Sequence, residues 1–181
     1  MSERLLLSVY TKFLEDNGYT VERRVEIPGG SGLVDVVAKK GNQILIVEAR
    51  KIENEGDVFE ALARCKLNKE VMPKAEAVIV LEKEAIDEEL EAQVLQACYD
   101  NEILIHYIDI NDREVFEDIL TFHIFPAFRW MMKVARVILK SNPTSSSKQV
   151  LTDLVNSLKG VKAPPSLADD IKALLKEIKA K

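Results

Sequence analysis

The chain has 181 residues but only two cysteines, Cys65 and Cys98, and two histidines, His106 and His123. The cysteines stand in segments with helical spacing and lack the spacing that is typical of metal ligands. We therefore expect reduced thiols in a protein core rather than a disulfide framework. The histidines are isolated from each other and from both cysteines, so we expect them in core or surface positions.

Long apolar runs and an excess of positive charge are also missing. No uninterrupted apolar run approaches the ~20 residues that a membrane span requires, and no signal peptide opens the sequence. Together with reduced thiols, these absences predict a cytoplasmic protein without a membrane partner. The formal net charge of −5 argues against non-specific coating of nucleic acid, although an acidic protein can carry a local basic groove.

The composition is that of a folded protein with one sizeable core. Hydrophobic residues make up 47% and charged residues 30%, which excludes a disordered chain. Hydrophobic periodicity predicts an α/β core over residues 1–112, with the order helix, three strands, helix, strand, helix and strand. The predicted segments are residues 2–17, 19–27, 32–51 (a hairpin), 54–71, 75–81, 84–100 and 102–110.

The remaining chain is predicted to be helical. Residues 113–140 have helical spacing with an internal break at Pro126, and they carry an aromatic cluster that includes Trp130. The apolar surface of residues 115–140 is a candidate homodimer interface. Residues 141–181 are predicted to be a linker, over residues 141–147, and C-terminal helices. These last helices are predicted at residues 148–158 and 166–180.

The chemistry is concentrated in one hairpin, over residues 32–51, with the sequence GLVDVVAKKGNQILIVEARK. Two apolar strands flank a turn, and each carries a carboxylate where a buried strand would carry a branched apolar side chain. These carboxylates are Asp35 and Glu48. Period-two alternation puts Glu48 and Arg50 on one face of the second strand. Because ionisable groups are costly to bury unless they are compensated, the hairpin indicates a functional site.

A hard divalent cation is the compensation that we expect. Strands joined by a tight turn can bring Asp35 and Glu48, 13 residues apart in the sequence, within reach of one ion. Two carboxylates, a backbone carbonyl and several waters suit Mg²⁺ or Mn²⁺. Such an ion can polarise a phosphate oxygen and lower the pKa of its bound water. Arg50 could then hold the phosphate or the attacking water.

These residues resemble a known signature. Asp35, the 13-residue step to Glu48 and the run Glu48-Ala49-Arg50 are similar to the PD-(D/E)XK motif of restriction-endonuclease-like nucleases. The Gly-Ser-Gly loop and the hairpin resemble those of the archaeal Holliday-junction-resolvase and RecB-like branches. The resemblance covers roughly residues 1–110. It implies a restriction-endonuclease-like core, a central mixed sheet flanked by helices, in which Asp35 and Glu48 bind Mg²⁺ for the hydrolysis of DNA.

Two positions depart from the pattern of that family. Arg50 stands where the family usually has lysine, and a permanently protonated arginine can bind phosphate but cannot act as a general base. Lys51 points to the opposite face of a regular strand, and a bulge could bring it in as a catalytic residue. Resolvase-like members also carry a catalytic Glu in the first helix, at the position of Leu7. Glu3, one turn earlier, could substitute as a metal ligand, and Glu15 is the other acidic candidate.

Candidate nucleic-acid contacts surround the hairpin. Arg64 lies on the predicted helix after the hairpin, where a basic residue often faces the site in nucleases of this type, although a solvated helix face would explain it equally well. Lys39 and Lys40 at the hairpin tip and Ser31 in the preceding loop are further candidates. Charged turn residues are common, so the two lysines have an ordinary explanation as well.

The favoured interpretation is a Mg²⁺-dependent nuclease that acts on DNA in repair, recombination or defence. Two alternatives stay open. The first is a catalytically inactive nuclease-like protein that binds nucleic acid or serves in assembly. The second is a structural ion network, in which Asp35 and Glu48 pair with Arg23, Arg24 or Arg50.

Overall fold

The structure, a computed structural model, describes residues 3–83, 87–118, 120–141, 144–157 and 164–180. The chain forms two compact units, residues 1–122 and 123–181. The first unit contains both helices and strands, and the described part of the second is helical. None of the described helices is long and apolar enough to cross a membrane.

A six-stranded mixed sheet forms the centre of the first unit. Its strands are β1 (Thr20–Ile27), β2 (Gly32–Lys40), β3 (Gln43–Arg50), β4 (Glu76–Glu82), β5 (Ile103–Asp109) and β6 (Glu114–Glu117). They lie side by side in chain order. The pairs β1–β2, β2–β3 and β5–β6 are antiparallel, whereas β3–β4 and β4–β5 are parallel. The parallel pairs require crossover connections, which two of the helices supply.

Helices cover both faces of this sheet. They are α1 (Glu3–Asp16), α2 (Glu55–Val71) and α3 (Glu88–Asn101). Leu6, Tyr10 and Leu14 of α1 pack on one face, and α2 and α3 pack on the other with the buried, free thiols of Cys65 and Cys98. The predicted fold class is confirmed: an α/β structure with a central mixed sheet flanked by helices, followed by C-terminal helices.

The hairpin of β2 and β3 determines which side chains meet in the site. Its turn contains Gly41, whose φ of +57° suits glycine. Main-chain pairing of the two strands ends at Val36 and Val47, and both valines pack beneath α1. Asp35 and Glu48 occupy the next register position. Because side chains alternate along a strand, both carboxylates face the α2 side of the sheet.

The segment after β5 differs from the predicted helix over residues 113–140. A short strand, β6, comes first and extends the sheet beside β5. It is followed by a π-helical segment (Leu120–Ile124) and by α4 (Phe125–Lys140). Four residues are too few for a period-two pattern to be recognised. Near the predicted break at Pro126 the helix changes from π-helical to α-helical, and Pro126 itself lies in the first turn of α4, where its missing N–H costs no helical hydrogen bond.

The second unit consists of α4, α5 (Ser145–Ser157) and α6 (Pro165–Ala180), which contact one another. The two predicted C-terminal helices are confirmed. However, α5 starts inside the predicted linker, because Thr144 Oγ1 accepts a hydrogen bond from the Ser147 N–H at 3.2 Å and caps the helix. Residues 142–143 of that linker lie outside the described part. Of the aromatic cluster, Phe125 and Phe128 are buried, whereas Trp130 is 68% exposed.

His106 on β5 takes a core position, beneath α1, with 2% of its surface exposed. Its Nδ1 lies 2.7 Å from the Tyr10 hydroxyl, and the rings of Phe13 and Phe122 pack against it. Nε2 has no hydrogen-bond partner among the described groups. Burial lowers the pKa of His106 to about 3, so the ring is neutral at pH 7.

Removal of the Tyr10 hydroxyl tests this buried contact. In Tyr10→Phe the Nδ1 of His106 loses its partner, which leaves neither ring nitrogen with one among the described groups, and we expect the free energy of unfolding in urea at pH 7 to fall by about 1–3 kcal/mol. Tyr19→Phe is the matched control. The Tyr19 hydroxyl bonds Gln43 at the surface, and its loss should change stability by less than about 0.5 kcal/mol. Equal stability of the two variants would show that the Tyr10–His106 bond contributes nothing.

Candidate active site

Glu48 has no exposed surface, and two residues of α2 hold its carboxylate. Arg64 Nε donates to Glu48 Oε2 at 2.9 Å, and Asn68 Nδ2 donates to Oε1 at 3.2 Å. Arg64 and Asn68 are four residues apart, so one face of α2 presents both to β3. Each oxygen of the buried carboxylate therefore has a donor, which offsets part of the cost of its burial.

Sequence reasoning missed Asn68. Its Oδ1 accepts hydrogen bonds from the backbone N–H of Ser31 at 2.9 Å and from the Ser31 hydroxyl at 3.0 Å, which turns the amide Nδ2 toward Glu48. Ser31, a predicted nucleic-acid contact, is thus tied to Glu48 through Asn68. A signal was available, because Asn68 continues the inward stripe of Val58 and Cys65 on α2. An amide in an apolar stripe indicates a buried polar contact.

Gly30 lets the loop before β2 lie against Asn68. A Cβ atom at this position would come within 2.6 Å of Asn68 Oδ1, well inside contact distance. A larger residue would therefore displace the amide or the loop that carries Ser31. The glycine-containing loop before the hairpin contributes to the orientation of Glu48 through this close approach.

At Asp35 the pairing of β2 with β3 has ended, and the pairing of β2 with β1 skips one position before it continues. Its Oδ2 accepts a hydrogen bond at 2.9 Å from the N–H of Ala49, which lies two residues beyond Val47 of the last β2–β3 pair. On the other side, Arg24 of β1 stands opposite Asp35 with a φ of +53°, which interrupts the β1–β2 pairing there. Irregular backbone of this kind, beside a partly buried carboxylate, is typical of functional sites.

Arg50, the last residue of β3, contacts helices on both faces of the sheet. Its Nη1 lies 3.3 Å from Glu3 Oε2 of α1, and its Nη2 lies 3.3 Å from Glu60 Oε1 of α2. The structure therefore brings Glu3 to the site as a partner of Arg50. Glu60 was missed by sequence reasoning, although it lies on the same helix face as Arg64, one turn earlier.

Carboxylates outnumber cations in this site. Its four carboxylates and two guanidinium groups carry a formal net charge of −2, and they belong to Glu3, Asp35, Glu48, Glu60, Arg50 and Arg64. Desolvation raises the pKa of Asp35, and repulsion by Glu3 adds to the effect while the Ala49 N–H opposes it. Desolvation also raises the pKa of Glu48 to about 7, against the hydrogen bond from Arg64 and with a contribution from the charge of Asp35. Both shifts arise mainly from burial, which the positive charges of Arg50 and Arg64 offset only in part.

Three predicted basic residues are not brought together with Asp35 and Glu48. Lys51 follows β3, and its Nζ lies 2.6 Å from Glu53 Oε1. Lys39 pairs with a glutamate of β1 at 3.2 Å. Lys40 donates to a main-chain carbonyl at the end of α1, beside the hairpin turn. The two lysines of the turn thus lie at the opposite end of the hairpin.

Asp35 and Glu48 are the carboxylates of the site that could take part in binding a divalent cation. Among the residues that the structure describes, no three His, Cys, Asp or Glu side chains are arranged to hold a metal ion. Mg²⁺ usually takes one or two protein carboxylates and keeps several waters. Asp35 and Glu48 supply that number, and the negative charge of the site favours a cation of charge +2.

Comparison with known proteins assigns no family to the chain. No protein-family model matches it, and no curated protein matches it. Among solved structures, a crystallised protein of unknown function, AF1548, is similar with a TM-score of 0.42 and 14% identity, covering 98% of this chain and 100% of that one. At this distance the similarity carries no argument about function.

The stability of the chain should depend on pH through Glu48. Its pKa is about 7 in the fold against an ordinary value of 4.5, so the folded state binds this proton more tightly than the unfolded state does. The resulting stabilisation is complete below pH 4.5 and is lost as the pH rises through 7. Relative to Glu48→Gln, we therefore expect the wild type to lose about 3 kcal/mol of unfolding free energy between pH 4.5 and about pH 8.

Urea unfolding in a chelator at several pH values measures this difference. Glu60→Gln is the matched control, because the Glu60 side chain is 64% exposed and should give a difference that changes little with pH. A constant difference between the wild type and Glu48→Gln would contradict the raised pKa.

Proposed function

We propose that this chain is a metal-dependent nuclease that hydrolyses phosphodiester bonds in DNA. The observation that carries the proposal is the pair of carboxylates, Asp35 and Glu48, on adjacent strands in a site of formal charge −2. Two desolvated acids of like charge are stable side by side when protonated or when a cation joins them. Since a DNA phosphate is itself an anion, a cation between the two carboxylates would also attract the substrate, whereas protonation of the acids would not.

Asp35 and Glu48 would hold a Mg²⁺ or Mn²⁺ ion. When bound, the ion would polarise a phosphate oxygen and lower the pKa of a coordinated water. Asn68 keeps Glu48 in one orientation, and the N–H of Ala49 does the same for Asp35. The two carboxylates are therefore oriented before substrate arrives, which reduces the reorganisation that binding requires.

Arg50 would hold the scissile phosphate. It follows Glu48 by two residues on β3, and its contacts with Glu3 and Glu60 are long, at 3.3 Å each. Partly exposed ion pairs of this kind contribute about 0–1 kcal/mol, so a phosphate that is bound bidentately can displace them. Because arginine stays protonated, Arg50 would stabilise charge and would not take a proton from water.

Arg64 is better suited to positioning Glu48 than to binding phosphate. Its Nε donates to Glu48, and its Nη2 donates to the main-chain carbonyl of Leu33. Both contacts hold the Nε edge of the guanidinium against the protein, toward Glu48 and Leu33. We therefore assign Arg64, with Asn68, to the orientation of the metal-holding carboxylate.

A second candidate function is the binding of nucleic acid without cleavage. The contact between Arg64 and Glu48 favours it, because a guanidinium at 2.9 Å already supplies positive charge to the carboxylate that a metal ion would use. Arg50, in the position where the resembling family has lysine, favours it as well.

The homodimer through residues 115–140 stays a prediction. Two copies of the site would suit a nuclease that cuts both strands of a duplex.

Cleavage of labelled DNA in Mn²⁺ tests the first function. Asp35→Asn and Glu48→Gln each remove a metal-holding charge with little change of size, and we expect the cleavage rate to fall at least about 100-fold in each. Glu22→Gln on β1, whose carboxylate pairs with Lys39, is the matched control and should keep the wild-type rate within about twofold. Wild-type protein that binds linear, branched and single-stranded DNA but cleaves none would establish the second function instead.

Stabilisation by metal tests the carboxylate pair independently of cleavage. Mn²⁺ at about 100 times its dissociation constant stabilises a folded protein by about 2.7 kcal/mol, which should raise the melting temperature by several degrees at pH 8. Asp35→Asn should abolish the rise. The rise should also shrink below pH 7, because a proton on Glu48 competes with the ion. An equal rise in Asp35→Asn would show that Mn²⁺ binds elsewhere.

A further inference from the structure

The two units of the chain carry opposite charge. Residues 1–122 contain 14 Lys and Arg against 26 Asp and Glu, a formal charge of −12, whereas residues 123–181 contain 11 against 4, a formal charge of +7. The overall charge of −5 conceals this division. A unit of charge −12 repels a polyanion at long range, so a nuclease built on it needs positive charge elsewhere to retain DNA.

The helix α4 presents much of this positive charge. Its sequence, FPAFRWMMKVARVILK, contains four basic residues and no acidic one. Trp130, Lys133, Val137 and Lys140 are all exposed, and their spacing of three or four residues puts them on one face of α4. We call these four residues the α4 exposed face. At 1.5 Å per residue it extends over ~15 Å, about the length of several DNA phosphate steps.

The charge of the α4 exposed face is not neutralised within the described structure. Arg136, on the neighbouring side of α4, pairs with Glu177 of α6 at 3.6 Å. In contrast, Lys133 and Lys140 have no carboxylate partner among the described residues. Trp130 and Val137, between them, are 68% and 67% exposed. Exposed tryptophan beside unpaired lysines costs apolar hydration and charge repulsion, which a bound polyanion would relieve.

We propose that the α4 exposed face binds the phosphate backbone of nucleic acid, with Lys133 and Lys140 on phosphates and Trp130 against a sugar or base. The inference rests on the proposed function for the identity of the polyanion, and it names where that substrate is held. An anionic membrane suits the face less well. The apolar side of α4, which a membrane-surface helix would insert, is already buried within the protein.

The chain offers a direct readout, because Trp130 is its single tryptophan. We expect a labelled duplex of about 30 base pairs, titrated in a chelator, to quench the tryptophan emission as the DNA anisotropy rises. In the double variant Lys133→Gln and Lys140→Gln the DNA affinity should fall at least tenfold at about 0.1 M salt. The slope of log affinity against log salt should decrease by about 2, one unit for each lost phosphate contact.

The matched control removes the same charge from the first unit. Lys12→Gln with Lys74→Gln neutralises two exposed lysines there, and the DNA affinity should stay within about twofold of wild type. Equal affinity of the two double variants would overturn the inference. So would equally tight binding of polyglutamate, which would indicate an acidic protein partner. Low-salt self-association of the chain without DNA, lost on neutralising Lys133 and Lys140, would overturn it too, because the acidic unit of a second copy would then be the occupant.

Nuclease activity and DNA binding by the α4 exposed face can be tested separately. The variant Asp35→Asn with Glu48→Gln should cleave none of the duplex, and its DNA affinity in a chelator should still fall when Lys133 and Lys140 are also neutralised. Binding that depends on Lys133 and Lys140, without cleavage by the wild type, would support this inference and refute the nuclease. Cleavage by the wild type with a DNA affinity unchanged in the Lys133 and Lys140 variant would do the reverse.

Discussion

The buried carboxylate of Glu48 is the constraint on which the first unit depends. An ionised acid in the face of a sheet is costly unless its oxygens are satisfied, and the donors must come from the element packed above it. This requirement accounts for Arg64 and Asn68 in α2, and for the loop that presents Ser31 to Asn68. An apolar residue in place of Glu48 would remove all of these needs at once. This set of contacts around one carboxylate is therefore better explained by a use for the charge of Glu48 than by a gain in stability.

Asp35 extends the same argument from one residue to a site. A single buried acid can be satisfied by one arginine, but Asp35 is a second acid on the adjacent strand. Glu3 and Glu60 already take the guanidinium of Arg50, so the four carboxylates exceed the two arginines by two charges. Burial raises the pKa values of Asp35 and Glu48, and the two guanidinium groups do not fully reverse that effect. A protein that needed only a stable ion network would gain from a third cation, whereas a site that receives a metal ion gains from leaving the deficit open.

The hairpin and its two carboxylates could be predicted from the sequence because they depend on local rules. A glycine turn and period-two alternation determine the register, and the register determines that Asp35 and Glu48 share a face. The partners of Glu48 could not be predicted in the same way. They depend on how α2 is rotated over the sheet, which is decided by packing between residues far apart in the sequence. The expectation that a bulge would bring Lys51 in rested on local backbone geometry, yet the strand ends at Arg50 and Lys51 pairs with Glu53 instead.

The short strand β6 illustrates a related limit. Its four residues are strand because β5 offers an edge with free main-chain donors and acceptors, and no pattern within residues 114–117 reveals that edge. The division of charge between the two units differs from both cases. It is present in the composition, yet it becomes visible only once the boundary at residues 122–123 is known. The opposite charges of the two units can therefore be recognised only after the fold has shown where one unit ends and the other begins.

Arg50 can be understood once its position at the end of β3 is considered. Its two η nitrogens reach Glu3 of α1 and Glu60 of α2, helices that lie on opposite faces of the sheet. A lysine has one ammonium group and could not make both contacts in that planar geometry. Arginine at this position thus has a structural reason of its own. Both contacts are long and partly exposed, so the phosphate of the proposed function would compete with weak ion pairs for the guanidinium, while the two glutamates would stay hydrated at the surface.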